Sequence, residues 1–317
     1  MMSRLKLIIQ IACHNEEASL PVTLAALPRE VPGFSRVEWL VIDDGSSDRT
    51  VEVARRHGAD HIVVLGANYG LAHAFAAGLE ACLARGADVV VHTDADNQYC
   101  AADIPLLVAP ILRGEADMVV GERPIASIRH FSPLKKLLQR LGSAVVRRLS
   151  GTTVRDAPSG FRAFSRRAAA ELQVFSGYTY TLETLIQARH KHLTVASVPI
   201  RVNPDLRPSR LVKGNGRYVL RSITTMLRIY VVYRPFEVFA ALGTACFAAG
   251  FSLGLRFLYY YFTQPVVGKI QSLILAAVLM ILGMQLGVVA VLADLIAVNR
   301  RLSERILGRL RLEGGRQ

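Results

Sequence analysis

Among its four cysteines, Cys13, Cys82, Cys100 and Cys246, the sequence has no CxxC pair, so the spacing offers no zinc or disulfide framework. The thiols read as reduced, which fits a cytosol-facing soluble part. No G-x-G-x-x-G follows the first predicted strand and no G-x-x-x-x-G-K-[ST] occurs anywhere, which argues against a dinucleotide dehydrogenase and a P-loop NTPase. No repeat or low-complexity tract stands out. Charge is sparse, at 20% of 317 residues, against 51% hydrophobic residues. That balance excludes disorder as the main state. It is also too charged for membrane spans throughout. The average describes a soluble part joined to a membrane part.

Acids are missing from two whole stretches. Residues 128–150 carry Arg129, Lys135, Lys136, Arg140, Arg147 and Arg148 with no Asp or Glu, and residues 207–234 carry Arg207, Arg210, Lys213, Arg217, Arg221, Arg228 and Arg234 with none. These thirteen cations equal the net charge of +13. Both stretches interleave Leu, Val, Ile and Tyr with the basic residues. The pattern favours amphipathic helices in a lipid headgroup layer over a nucleic-acid surface.

Two runs have almost no charge. Phe236 to Phe262 contains only Glu237 and Arg256, and Ile270 to Val298 only Asp294. At 1.5 Å per residue each exceeds the roughly 30 Å hydrocarbon core. The short turn Thr263 to Lys269 makes them a helical hairpin. Its flanks are rich in Arg, which places both on the cytoplasmic side. Gly243, Gly250 and Gly254 on the first span suit close helix packing, including a homo-oligomer. The N-terminal apolar run Leu5 to Cys13 ends at once in His14-Asn15-Glu16-Glu17, so it reads as a buried first strand and not a signal peptide.

Residues 5–122 alternate apolar strands (Leu5–Ile11, Val37–Ile42, His61–Leu65, Asp88–Thr93, Asp117–Gly121) with helices at 18–27, 49–57, 70–85 and 102–113. This succession predicts an α/β, doubly wound and largely parallel sheet. Such sheets bind ligands at the carboxyl ends of their strands. Polar clusters follow four of the strands here. After the fourth comes Asp94-Ala95-Asp96-Asn97-Gln98. Two carboxylates one residue apart suit Mg²⁺ or Mn²⁺ with a diphosphate, and Gln98 adds a neutral third ligand. Asp103 is expected to cap the helix that follows. Asp43 and Asp44 lead a Gly turn, and an acid there can accept hydrogen bonds from a ribose or a base N–H. Asn68-Tyr69-Gly70 turns into a helix N-terminus that can meet an anion. In Arg155-Asp156-Ala157-Pro158-Ser159-Gly160-Phe161-Arg162, an acid and two guanidiniums are placed to flank an anionic substrate.

With these residues the chain resembles the family 2 glycosyltransferases, and within them the polyprenyl-phosphate, dolichol-phosphate mannose synthase-like group. The carriers are His14-Asn15-Glu16-Glu17, the D-D-G-S-S-D run at 43–48, Asn68-x-Gly70, the D-A-D with Gln98, and D-x-x-S-G-F-R at 156–162. Coverage runs to about residue 235. The chain departs from many relatives in carrying Ala12 and His14 where they have Pro and Tyr.

The resemblance implies a GT-A catalytic domain and a UDP- or GDP-sugar donor. Asn15, Glu17, Asp43 and Asp44 match nucleoside-binding positions, while Asp94, Asp96 and Gln98 match metal and diphosphate positions. Arg123, Arg140 and Ser143 fall where the acceptor phosphate is held, and Asp156 matches the candidate catalytic acid. Glu183 is a rival base. Arg207 and Arg210, in the loop Asn203 to Gly216, are expected to meet the lipid phosphate. The expected organisation is a GT-A domain at 1–206, a basic loop and interface helix at 207–235, and a transmembrane hairpin with a cytoplasmic tail at 236–317. The implied reaction is inverting sugar transfer to a polyprenyl phosphate at the cytoplasmic face of the inner membrane. Transfer to a lipid or polysaccharide hydroxyl is the alternative.

Overall fold

A computed structural model of the chain describes residues 5–124, 147, 151–174, 180–204, 224, 228, 230–263 and 270–314. Arg140, Ser143, Arg207 and Arg210 lie outside the described residues, as does most of the two basic stretches. The chain divides into two compact units, Met1–Val219 with Glu304–Gln317, and Leu220–Ser303.

The first unit is built on seven strands: β1 (Lys6–Cys13), β2 (Arg36–Asp43), β3 (His61–Val64), β4 (Val89–Asp94), β5 (Met118–Glu122), β6 (Arg162–Ser165) and β7 (Val195–Pro199). Their order in the sheet is β3-β2-β1-β4-β6-β5-β7. Helices α1 (Leu20–Ala26), α2 (Thr50–Arg56), α3 (Leu71–Ala84), α4 (Ile104–Leu112), α5 (Arg166–Glu171) and α6 (Thr181–His190) cover the two faces. Alternation along the strands divides the core. Leu7, Ile9 and Ile11 face one layer with Leu20, Leu24, Ala54, Ile104 and Leu107. Ile8, Leu40 and Ile42 face the other with Phe75, Leu79, Ala168 and Leu185.

The five expected strands form, each within two residues of its predicted ends. The sheet is parallel through β3, β2, β1 and β4. It then departs from simple succession. β6 runs antiparallel between β4 and β5, and β7 returns parallel to β5. The antiparallel strand has a consequence for the site. Its start, Arg162, pairs with His92 near the end of β4, so the loop before it reaches the edge where β4 ends. Residues 156–161 thus meet the Asp94 loop. β5 ends at the same edge, and the Gly121 N–H donates to the Phe161 carbonyl at 2.9 Å.

The second unit contains α7 (Pro235–Thr263) and the upper part of α8 (Ile270–Gly314). Pro235–Thr263 and Ile270–Arg300 are long and apolar enough to cross a membrane, with mean hydropathies of 1.8 and 2.5. They pack backbone to backbone. A Cβ on Gly243 would lie 2.8 Å from the Gly283 carbonyl oxygen, and one on Gly283 would lie 2.7 Å from that of Gly243. Small residues permit this approach where no side chain could fit. Large apolar side chains point outward instead, among them Phe262, Met284 and Ile296, each more than 70% exposed.

Candidate functional site

Strand register brings the acids together. β1 pairs Cys13 with Asp43 on one side and Ala12 with Asp94 on the other. The end of β1 therefore separates the two acids at one sheet edge. Asp43 is buried, and its Oδ2 accepts the Ser46 N–H at 3.1 Å. Its Oδ1 is also buried and has no hydrogen-bond partner. A buried carboxylate oxygen without a donor is costly, and a ligand N–H or O–H would satisfy it.

Asp44 is used differently. Its Oδ1 accepts the Tyr69 N–H at 2.9 Å and its Oδ2 the Gly70 N–H at 2.8 Å. Both oxygens hold the turn that starts α3, so its role here is to bind the 43–48 loop to the 68–70 loop. His14 adds to the same junction. Its Nδ1–H donates to the Asp44 carbonyl at 2.8 Å, and its Nε2 accepts from Asn68 Nδ2 at 2.9 Å. The carbonyl can only accept, which fixes this tautomer. Asn15 Oδ1 accepts the Ser47 N–H at 2.8 Å, with Asn15 in the left-handed region at φ 55°. Glu17 Oε2 accepts the Arg49 N–H at 3.1 Å. Asn15, Glu17 and Asn68 thus line one rim, each tied to a neighbouring loop.

Asp94 ends β4 with its side chain 29% exposed. Asp96 follows in a tight loop, where its Oδ1 accepts the Gln98 N–H at 3.1 Å and Asn97 sits at φ 55°. The segment after β7 clamps this loop. Asn203 Nδ2 donates to the Asn97 carbonyl at 2.9 Å, and the Asn203 N–H donates to the Gln98 carbonyl at 2.9 Å. Asp103 anchors the clamp. It makes no side-chain cap to α4, contrary to expectation. Its carboxylate instead accepts from the Arg201 N–H at 2.7 Å and from the Arg201 guanidinium at 3.0 and 2.6 Å.

The 156–162 loop forms the opposite wall. Asp156 is fully buried. Arg123 Nε donates to its Oδ2 at 2.7 Å and Arg123 Nη2 to its Oδ1 at 2.9 Å. Burial alone would lower the Arg123 pKa. The Tyr99 phenol and the Asp156 and Asp94 carboxylates outweigh burial and hold it above its ordinary value. Gly160 is packed among polar groups: a Cβ there would lie 2.9 Å from Tyr180 Oη, 3.1 Å from Asp94 Oδ2 and 3.3 Å from Tyr99 Oη. Tyr99 stacks on Phe161 at 5.1 Å and accepts the Gly160 N–H at 3.0 Å.

Arg162 does not face an anion. Its guanidinium is completely buried and donates to the carbonyls of Ser159, Thr181 and Ala157 and to Thr184 Oγ1, at 2.6–2.8 Å. Burial pushes its pKa down to about 10, with Tyr180, Tyr99 and Asp156 pulling the other way. The side chain is a strut that ties the 156–162 loop to α6, with four of its five N–H donors engaged inside the protein. Glu183 sits buried in the first turn of α6, where the helix dipole favours an acid.

Among the described residues no group of three or more His, Cys, Asp or Glu is placed to hold a metal ion. Two hard carboxylates from one loop, Asp94 and Asp96, do fit a cation that keeps water and phosphate oxygens in its shell, as Mg²⁺ and Mn²⁺ do.

The family model described as Glycosyl transferase family 2 matches residues 8–173, a little over half of the chain. The polyprenol monophosphomannose synthase of Mycolicibacterium smegmatis is 27% identical over 66% of this chain and 82% of its own length. The dolichyl-phosphate hexose transferase of Haloferax volcanii is 32% identical over 61% of this chain and 81% of its own. Glucosyl-3-phosphoglycerate synthase of Mycobacterium tuberculosis, solved with Mn²⁺, UDP and glucosyl-3-phosphoglycerate, shares the fold with a TM-score of 0.55. It is 23% identical over 71% of this chain and 80% of that one. With the acids gathered at the carboxyl edge of a GT-A sheet and a family model spanning them, the chain belongs to glycosyl transferase family 2.

Proposed function

We propose that this glycosyltransferase transfers a sugar from a UDP- or GDP-sugar to a polyprenyl phosphate, with inversion, at the cytoplasmic face of the membrane. The observation that carries the donor half is the pairing of Asp43 and Asp94 on either side of β1, with one buried Asp43 oxygen left without a partner. Asp43 Oδ1 accepts a base or ribose hydrogen, and Asn15, Glu17 and Asn68 form the rim around the nucleoside. Asp94 and Asp96, with Gln98 beside them, hold Mg²⁺ or Mn²⁺. Such an ion, when bound, would supply positive charge against the leaving diphosphate.

The acceptor half rests on the names of the relatives and on residue types. A phosphate acceptor has a second pKa of about 6, so it attacks without a base taking its proton. Asp156 therefore needs no proton-accepting role. Its two oxygens already accept from Arg123, and we assign the pair to orienting the acceptor side of the site. Glu183, enclosed at the start of α6, serves the same wall. Arg140, Ser143, Arg207 and Arg210 supply donors for the lipid phosphate. The two apolar helices anchor the enzyme in the inner membrane, both termini cytoplasmic by the Arg-rich flanks. Their exposed Phe, Met and Ile side chains suit lipid and not water.

The test is acceptor choice. Purified full-length protein in detergent with Mn²⁺ and a panel of radiolabelled UDP- and GDP-sugars is offered undecaprenyl phosphate or undecaprenol. Label entering the organic phase only with the phosphate supports the proposal. Label entering only with the alcohol overturns it in favour of a hydroxyl acceptor.

A further inference from the structure

The core behind Asp94 contains polar groups that the reaction above does not use. His92 lies two residues before Asp94 on β4 and is fully buried. Its ring is held edge-on by Phe75 (5.1 Å, 84°) and Tyr180 (5.1 Å, 78°), which themselves stack at 4.0 Å. Gln10, also fully buried on β1, lies alongside, with Nε2 3.1 Å from His92 Nδ1. On its far side, the Cys82 thiol donates to Gln10 Oε1 at 3.8 Å. Gly78 of α3 leaves room for this amide, since a Cβ there would collide with Gln10 Oε1.

The hydrogens of this row have one direction. The thiol donates to Oε1, so the amide turns its NH₂ to the imidazole. An amide NH₂ can only donate, so His92 Nδ1 is the acceptor and the neutral ring carries its proton on Nε2. That Nε2 is buried and makes no hydrogen bond. The nearest carboxylate oxygen is Asp94 Oδ1, at 3.7 Å. The row Cys82–Gln10–His92 therefore delivers one unused donor to the first acid of the D-A-D loop, just beyond hydrogen-bond distance. A buried donor in that position is costly unless it acquires a partner in some state of the protein.

We propose that His92 is a positioning residue for Asp94: its Nε2–H donates to Asp94 Oδ1 once the site is loaded, and so fixes the plane of that carboxylate. On the other side, Asp94 Oδ2 lies against Gly160, where a Cβ would come within 3.1 Å of it. The proposed bond adds a fixed contact on the side of Asp94 away from Gly160. Carboxylates and imidazoles behind metal ligands act in this way, and their loss typically weakens metal binding about 10–100-fold. The inference rests on the reading of Asp94 as a metal and diphosphate ligand.

Mn²⁺ binding to the full-length protein in detergent tests it, read by the EPR signal of free Mn²⁺ with and without UDP or GDP. Variants are His92→Phe, which keeps an aromatic ring against Phe75 and Tyr180, the double variant Gln10→Leu/His92→Phe, which removes both buried polar groups, and Asp94→Asn. The expected result is about 10–100-fold weaker Mn²⁺ binding in both His92 variants, with a larger loss in Asp94→Asn. Wild-type affinity in the His92 variants alongside a loss in Asp94→Asn overturns the role of His92 and leaves the metal site standing. Unchanged affinity in Asp94→Asn overturns the metal reading and this inference with it. A measurement on the unaltered protein stands apart from any folding defect. The Nε2–H proton of His92 in ¹⁵N-histidine NMR should move downfield when Mg²⁺ and the nucleotide are added. An unmoved resonance in protein that has bound the nucleotide overturns the proposal.

Discussion

Arg123 and Asp156 form a two-point ion pair inside the protein, with side chains 10% and 1% exposed and contacts of 2.7 and 2.9 Å. The residue that matches the candidate catalytic acid is thus one half of a fixed pair. Removing the carboxylate strands a guanidinium that cannot shed its proton. Asp156→Asn should cost about 3–5 kcal/mol, or about 10 °C in melting temperature. Thermal unfolding in detergent measures this. The double variant Arg123→Ala/Asp156→Ala should lose less than the sum of the two single variants. Additive losses would mean that the pair is not coupled.

Asp96, in the loop after β4, is one of the two proposed metal ligands. Its replacement by Ala should leave the melting temperature within a few degrees, while metal-dependent turnover falls on the order of 100-fold or more. EDTA should abolish activity, and Mn²⁺ should restore it in the wild type only. An Asp96→Ala enzyme that responds to Mn²⁺ like the wild type would remove this residue from the metal site.

Glu38 stands on β2 at the end of the sheet away from the site, with its side chain 3% exposed. Lys6 lies at 2.8 Å, Arg36 at 2.5 Å and His61 at 2.8 Å. Burial would raise its pKa, but hydrogen bonds from Lys6 and His61 and the charges of Lys6 and Arg36 lower it below the ordinary value. The folded state therefore binds this proton more weakly than the unfolded chain. The stabilisation is complete above the unfolded pKa of about 4.3 and is lost as pH falls through the folded value. Glu38→Gln should cost about 1–3 kcal/mol at pH 7, and its melting temperature should fall less steeply in acid than that of the wild type. Parallel acid limbs would contradict this.

Gly243 and Gly283 let α7 and α8 touch at the backbone. Gly243→Leu should force the helices apart at a cost of about 1–3 kcal/mol. The same change at Gly254, where a Cβ meets nothing within 4 Å, should cost little. Comparing the two variants by thermal unfolding checks the hairpin contact, and equal losses would refute it.

The parallel half of the fold was legible because its strands are continuous apolar runs, each closed by a polar cluster. β6 was not. It is four residues long and begins with Arg162, a charge that reads as a substrate contact until its four oxygen acceptors are seen. The same blindness affected Asp44 and Asp103. Asp103, expected as a cap, instead holds Arg201, and Asp44, expected at the nucleoside, also holds a loop far away in sequence through Tyr69 and Gly70. Residue type and spacing identified the edge that gathers the acids. They could not say which acids are spent within the protein, because that depends on partners 25 to 98 positions away. His14 shows the reverse. Read as a departure from related sequences, it proves to join Asp44 to Asn68.

The proposed acceptor is a polyprenyl phosphate. Mass spectrometry of the lipid product tests it most directly, with undecaprenyl phosphate, Mn²⁺ and each UDP- and GDP-sugar in turn. The expected product is one new species, a single sugar joined to the lipid through one phosphate, absent from the Asp96→Ala reaction. A nucleotide-sugar consumed without that species, or the sugar found on a lipid hydroxyl, would contradict it.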